Sequence, residues 1–241
     1  VIEDSNFRKV LDHGFVRLLN LSGPVRRADA QFDADDVDPA QAARRSFNQH
    51  EVERPREDDI RLNEYLIKNK HSTPIEAIET WWEMKLPIFV ARQFVRHRTC
   101  TISEISARYA VLPEEWYLPK PKQVCGKAKS NKQGRGVEQH IDAEWFIEEL
   151  RRSCESSYRQ YCDAIARGIA PEVARTLLHV NHYTCWMWKQ NLHNLFHFLS
   201  LRDHSHAQWE SRQYAVAMIE ILRQHLPELM DLYDKYRKAP K

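Results

Sequence analysis

Apolar residues recur along the chain with two different periods, and each period predicts a type of element. From Ile75 to Leu86, the residues Ile78, Thr80, Trp82, Met84 and Leu86 fall on one side, with Glu79, Glu83 and Lys85 on the other. That alternation predicts a strand with one buried face. Pro87 follows, and it suits the first turn of a helix. The runs "GFVRLLNLSG" at 14–23 and "HYTCWMWKQ" at 182–190 read as further strands. From Asp142, an N-cap residue type, Phe146, Leu150, Cys154, Tyr158, Tyr161 and Ile165 recur every three or four positions as far as Gly168. This predicts a long amphipathic helix stopped by glycine. Helices are also predicted near "PAQAARRSF" at 39–47, over "REDDIRLNEYLIKNK" at 56–70 with acidic residues at its start, over "NLHNLFHFLSLR" at 191–202, and over "AQWESRQYAVAMIEILRQHL" at 207–226, which Pro227 ends.

Helices therefore carry most of the chain, with a few strands between, and no repeat or composition break divides it. One domain over 1–241 is expected, and a hydrophobic content of 42% is enough to bury a core. No apolar run approaches the roughly 20 residues that span a bilayer, and the opening "VIEDSNFRKVLDH" is charged where a secretory signal is apolar. A soluble, cytoplasmic protein is expected, and a chain that opens on Val1 is expected to lack its native first residues. Five scattered cysteines (Cys100, Cys125, Cys154, Cys162, Cys185) form no C-x-x-C pair, which argues against a disulfide framework or a thiolate zinc site. Of only six glycines, Gly126, Gly134 and Gly136 fall within "PKPKQVCGKAKSNKQGRGVEQH" at 119–140. That stretch reads as a long, basic, mobile loop, either a solvated linker or a lid. Neither G-x-G-x-x-G nor G-x-x-x-x-G-K-[ST] occurs, so any nucleotide must be held by side chains and helix ends.

Charge changes the picture. The stretch "RQFVRHRTCTISEISARYAVL" at 92–112 holds Arg92, Arg96, Arg98 and Arg108 against Glu104, a local balance of +3 in a chain whose net charge is +2. A dense local cluster points to a compact anionic ligand rather than to a polyanion. Arg96, His97 and Arg98 are consecutive, so they cannot share one helix face and should lie at the end of an element. Guanidinium groups grip phosphate in bidentate fashion, and His97 adds a donor that is partly titratable near neutrality. In extended or turn geometry, the Ser106 hydroxyl, backbone N–H groups and Arg108 can converge on one oxyanion. Glu104 is either a structural counterion or an acceptor for a ligand N–H or sugar hydroxyl.

Taken together, Arg96-His97-Arg98, seven residues and then Ser106 form R-H-R-x7-S, which resembles the signature of the flavin-dependent thymidylate synthases. The segments "DHGFVRLLN", "AARRSF", "HSTPIE" at 71–76, "ARTLL" at 174–178 and "NLHNLFHFLSLRDHSHAQWESRQYA" at 191–215 agree, in the family's order, over roughly residues 10 to 225. The resemblance implies an α+β fold: a single domain with a small, mostly antiparallel sheet flanked by long helices, here carrying the insertion at 119–140. It implies an enzyme that methylates dUMP to dTMP with methylenetetrahydrofolate as carbon donor and FAD, recharged by NADPH, as reductant. It also implies a homotetramer whose sites draw on several subunits. All these ligands are anionic, which accounts for the cationic cluster.

Carried over by position, Thr73, Arg96, His97, Arg98 and Glu104 correspond to flavin contacts, and Asn191, Leu192, His193 and His197 to the second flavin segment. Gln93, Phe94, Val95 and Arg96, with Glu104, Ile105, Ser106, Ala107 and Arg108, correspond to the nucleotide site, with 106–108 at its phosphate. Arg175 and Arg202 complete that site. The resemblance places Arg202 at the uracil edge as the catalytic group, where it favours ionisation at N3. Thr101 stands where many members have serine, Ala107 where glycine is frequent, and His193 where arginine is frequent.

Read by chemistry, Ser106 has no base beside it and is expected to bind phosphate rather than to attack the ring. No cysteine lies in an activating motif, and Cys100 is the one suspect for a thiolate mechanism. No metal is expected, although His193, His197, His204 and His206 raise a zinc reading that lacks H-E-x-x-H. A nucleic-acid module, suggested by the basic stretch and seven tryptophans, is opposed by the small net charge. Neither nucleic acid nor membrane is an expected partner.

Overall fold

A computed structural model describes residues 4–24, 32–49, 52, 54–128 and 134–238. The elements run β1 (Phe7–Val10), β2 (Gly14–Ser22), α1 (Asp38–Arg45), α2 (Arg56–Lys68), α3 (Thr73–Glu76), β3 (Glu79–Pro87), α4 (Ile88–Phe94) and β4 (Thr101–Glu104). They continue through a short 3-10 turn (Pro121–Gln123), β5 (Cys125–Lys127), β6 (Arg135–Gln139), α5 (Ala143–Ala166) and α6 (Pro171–Ala174). A second 3-10 turn (Arg175–Leu177), β7 (Tyr183–Asn191), α7 (Leu192–Arg202), α8 (Trp209–His225) and α9 (Pro227–Tyr236) complete the described chain.

Five strands form one sheet in the order β1-β2-β3-β7-β4, with every neighbouring pair antiparallel. The centre of the sheet is the pairing of β3 with β7, in register from Glu79 opposite Asn191 to Pro87 opposite Tyr183. The alternation read from the sequence sets its buried face: Thr80, Trp82, Met84 and Leu86 are buried, and Trp186 and Trp188 lie beside them on β7. Helices α7, α8 and α9 supply Leu195, Phe198, Tyr214, Met218, Leu222 and Leu229 to the same core. Trp82 is fully buried, and its indole N–H donates to the Thr80 hydroxyl at 3.0 Å, which donates to the Gln190 carbonyl at 2.7 Å. Both polar groups are thus satisfied inside the core, and truncating such a side chain to alanine costs about 3–5 kcal/mol.

The expected strand 75–86 begins later than the pattern suggests. Residues 73–76 form the turn α3, because Pro74 is accommodated in its first turn and Ile75 is buried there rather than on the sheet. The long helix is α5. Gly168, at φ +84°, ends it: its N–H bonds to the Ile165 carbonyl at 2.9 Å and the Ile169 N–H to that of Ala164 at 3.0 Å. This is a Schellman stop that favours glycine. Asp142 stands at the N-cap, but its side chain makes no capping bond. Tyr161 and Ala164 of α5 form a second small core with Ala174 of α6.

The stretch 119–140, expected as a loop, is in its described part the 3-10 turn followed by the β5–β6 hairpin, with Lys127 opposite Arg135. Residues 129–133 of that expectation lie outside the described residues.

Candidate active site

Helix α4 ends at Phe94, and the His97 N–H closes the turn on the Phe94 carbonyl at 3.0 Å, so the triplet 96–98 lies at an element end as its composition requires. Phe94 is fully buried, with its ring 4.8 Å from that of Phe198 and 6.4 Å from that of Trp188. It anchors the turn from the core and offers no surface to a ligand. Val95, Arg96 and Arg98 are exposed, and the two arginines make no hydrogen bond or ion pair among the described residues.

His97 turns inward. Its ring packs edge-on against Phe198 at 4.9 Å and lies 6.0 Å from that of His197. Arg202, in the last turn of α7, donates from Nη2 to the Gln93 carbonyl at 3.0 Å and lies 3.2 Å from His97 Nε2. Burial, then the charge of Arg202, then His197 lower the imidazole from 6.5 to about 4. The expectation of a group titrating near neutrality is therefore corrected: His97 is neutral there. Burial also lowers the Arg202 guanidinium, and its buried Nε–H has no acceptor among the described residues. A buried donor of this kind costs about 1–3 kcal/mol until an acceptor arrives.

Gln93 is held at both ends of its amide. Oε1 accepts from the Ser211 hydroxyl at 3.0 Å, and Nε2 donates to Gln208. Reading the sequence by residue chemistry missed Gln208 and Ser211, although both fall inside the "AQWESRQYA" run. The Cys100 thiol donates to the His97 carbonyl at 2.9 Å and is pushed up by burial, the opposite of activation.

A second group surrounds a cavity of about 410 Å³, lined by Glu104, Ile105, Ser106 and Ala107 on one side and by Arg175, His179 and Thr184 on the other. Glu104 accepts from the buried Thr184 hydroxyl at 2.5 Å and pairs with no cation among the described residues. Within one chain, then, Glu104 is not a counterion. The Ser106 hydroxyl accepts from the Arg108 N–H at 3.3 Å in the turn that follows β4. Arg108 extends away to Glu172 at 3.1 Å, and Arg175 bonds to the Glu172 carbonyl at 3.3 Å. Thr184, His179 and Glu172 were not singled out by the sequence, because no spacing links them to the motif.

The remaining residues cluster where α3 packs on α7. Thr73 is exposed at the start of α3, and Asn191 caps α7 by accepting from the Asn194 N–H at 2.9 Å. Leu192 is fully buried and gives its N–H to the Ile78 carbonyl at 2.8 Å, so its side chain serves the core. Burial, then Arg237, lower His193, whose Nδ1 lies 3.1 Å from the Arg237 guanidinium. The histidines weighed as a zinc set are spread: His193 meets Arg237, His197 faces His97, and His204 packs on His206 at 4.8 Å. Within one chain, then, Gln93, His97 and Arg202 converge, and Glu104–Ala107 converge with Arg175. No hydrogen bond joins the two groups among the described residues.

Comparison with known proteins gives the same family as the motif. The family model described as "Thymidylate synthase complementing protein" matches residues 30–228. The flavin-dependent thymidylate synthase of Gluconobacter oxydans (strain 621H) is 42% identical over 233 residues, covering 95% of this chain and 73% of that protein. That of Wolbachia pipientis wMel is 41% identical over 229 residues, covering 95% and 76%. The crystal structure of a UMP/dUMP methylase, PolB, from Streptomyces cacaoi bound with 5-Br dUMP superposes with a TM-score of 0.83 at 25% identity, covering 97% of this chain and 100% of that one. On the fold, the motif order and these likenesses, the chain belongs to the flavin-dependent thymidylate synthase family.

Proposed function

We propose that the Gln93–His97–Arg202 group at the ends of α4 and α7 is where this FAD-dependent thymidylate synthase performs its family's reaction, the reductive methylation of dUMP to dTMP with a folate carbon donor and no cysteine nucleophile. The observation that carries this placement is Arg202. Its guanidinium is fixed through Nη2 by the Gln93 carbonyl and a neutral imidazole, and its Nη1 makes no hydrogen bond among the described residues. A preorganised cation with a spare donor suits a pyrimidine edge on which negative charge develops. Arg202 favours loss of the N3 proton and stabilises the resulting anion. His97, accepting at Nε2, keeps the guanidinium aimed.

The nucleotide phosphate fits the cavity at 104–107, where the Ser106 turn and Arg175 supply donors, and Arg108 joins them on leaving Glu172. The residues present also suit a flavin. Arg96 and Arg98 stand free for its pyrophosphate, and Thr73, Asn191, His193 and His197 line the α3–α7 corner. When bound, the flavin supplies the reducing equivalents of the reaction. NADPH recharges it, and methylenetetrahydrofolate is the carbon donor.

Because no hydrogen bond among the described residues joins the Arg202 group to the phosphate cavity within one chain, the complete site is read as shared between subunits of a homotetramer. Tyr109, Val137, Ile141 and Trp145, between 66% and 97% exposed, support association. No helix among the described residues is long and apolar enough to cross a membrane. Five free cysteines favour the reducing cytoplasm. The test is the visible spectrum of the protein reconstituted with FAD, followed by NADPH oxidation and dTMP formation with and without dUMP. Absence of bound flavin, or dTMP formation without it, overturns the proposal.

A further inference from the structure

The β5–β6 hairpin takes no part in the chemistry above, yet one of its side chains reaches the helix beside the site. Arg135 in β6 donates from Nη1 to Glu210 Oε1 at 3.0 Å and to the Gln123 carbonyl at 2.8 Å, and its guanidinium lies 5.6 Å from the centre of the Trp209 ring. Trp209 and Glu210 open helix α8. The Glu210 side chain is 3% exposed against 30% for Arg135, and the Tyr117 hydroxyl donates to the same Oε1 at 3.1 Å. A carboxylate so deep is tolerated only while its cation stays in place.

The residues on either side of that anchor hold Gln93. Gln208 accepts from its Nε2, and Ser211 donates to its Oε1 at 3.0 Å. The Gln93 carbonyl in turn accepts Arg202 Nη2 at 3.0 Å. An unbroken set of contacts therefore runs from Arg135 through Glu210, the adjoining Ser211 and Gln93 to Arg202.

We propose that Arg135 is a positioning residue for Arg202, acting through the first turn of α8 and Gln93; this rests on the reading of Arg202 as the group at the pyrimidine edge. Without Arg135 the Glu210 carboxylate is stranded and must turn towards water. The first turn of α8 shifts with it, Ser211 and Gln208 withdraw from Gln93, and the carbonyl that aims Arg202 is no longer fixed. The unequal exposure of the pair gives a second consequence. Glu210→Gln leaves Arg135 able to reach water and keeps an oxygen for the Tyr117 hydroxyl, so it is the milder change.

The test compares FAD-loaded wild type with Arg135→Ala, Arg135→Lys, Glu210→Gln, Arg202→Ala and the Arg135→Ala/Arg202→Ala double variant. Arg135→Ala is expected to lower kcat for dTMP formation by about tenfold to a hundredfold, the scale of a small misplacement at a reacting centre. The KM for dUMP should stay within about twofold. Arg135→Lys should recover part of the loss, and Glu210→Gln should lose less than Arg135→Ala. In the Arg202→Ala background, Arg135→Ala should cost almost nothing more. Losses that multiply in full in the double variant indicate general loosening and overturn the proposal, as does unchanged kcat in Arg135→Ala. The crystal structure of Arg135→Ala reads the relay independently of turnover: the Arg202–Gln93 contact is expected to be lost, and its retention at 3.0 Å overturns the relay whatever Arg202 does. If Arg202→Ala turns over normally, it is the assignment of Arg202 that fails. If Arg135→Ala does not fold, Arg135→Gln, which keeps part of the side-chain stem and removes the cation, carries both the cycle and the crystal structure with the same expected and overturning outcomes.

Discussion

Arg202 donates from Nη2 to Nε2 of His97 across 3.2 Å. A guanidinium has donors only, so Nε2 must present its lone pair, and the proton of the neutral imidazole lies on Nδ1. The two residues come from elements far apart in the chain, and their contact sets the tautomer of His97 and one direction of the Arg202 guanidinium.

Arg202→Ala is expected to lower dTMP formation by roughly a hundredfold to a thousandfold, about 3–4 kcal/mol, the scale of losing one preorganised donor. Arg202→Lys should recover little, because an ammonium cannot serve the Gln93 carbonyl, His97 and a ligand in one plane. Turnover measured with flavin loading and dUMP binding followed separately decides this. Loss of methylation with both ligands bound is the expected result.

The state of His97 gives stability a pH dependence of known sign. Its folded value of about 4 lies below the ordinary 6.5, so between these values the unfolded chain binds a proton that the folded one does not. Stability therefore falls as pH drops from 6.5 towards 4, and above 6.5 His97 contributes nothing. Urea unfolding at pH values inside and above that window should show a smaller acid loss for His97→Gln than for wild type. His182, His193 and His225 shift the same way and remain in both proteins, so the difference isolates His97.

Arg108 must exchange Glu172 for phosphate if it binds the nucleotide. Both side chains of that pair are 53% exposed, so the pair is worth at most about 1 kcal/mol. Glu172→Gln should accordingly tighten dUMP binding by no more than about fivefold. Arg108→Ala should weaken it by about 1.5–3 kcal/mol, the worth of a charge-assisted bond. Calorimetric titration with dUMP checks both, and unchanged affinity in Arg108→Ala moves the phosphate elsewhere.

Thiolate chemistry is opposed by the environment of the cysteines. Burial pushes Cys100, Cys154 and Cys185 up, so none is a ready nucleophile at neutral pH. Each of the five single Cys→Ala variants should retain nearly full turnover. One variant that binds flavin and dUMP yet forms no dTMP would reinstate a covalent cysteine.

Gly14, the first residue of β2, is a packing constraint within the sheet. A Cβ there would lie 2.7 Å from the carbonyls of Lys85 and Val10 and would strike the Tyr214 hydroxyl, which itself bonds to the Lys85 carbonyl. Two of the obstacles are backbone, so Gly14→Ala should cost about 1–3 kcal/mol, read as a lowered denaturation midpoint at unchanged slope.

The sequence by itself determined several of the elements that have one buried face, though not α9, whose Leu229, Met230, Leu232 and Tyr233 are buried. The alternation on β3, the three-to-four spacing on α5 with its glycine stop, and the end of α4 before Arg96 are local patterns that burial enforces residue by residue. The motif order likewise made the family and the cationic residues legible. Strands without a buried face were not legible. β4 and the β5–β6 hairpin are mostly exposed, so backbone pairing forms them with no apolar period to reveal it. The site itself was decided by tertiary structure. Gln93 lies 109 positions from Arg202 and 118 from Ser211, and contacts across such separations follow from how the helices cover the sheet. The neutrality of His97 follows from the same packing, because desolvation and a neighbouring guanidinium are properties of where a side chain ends up, not of its neighbours in sequence.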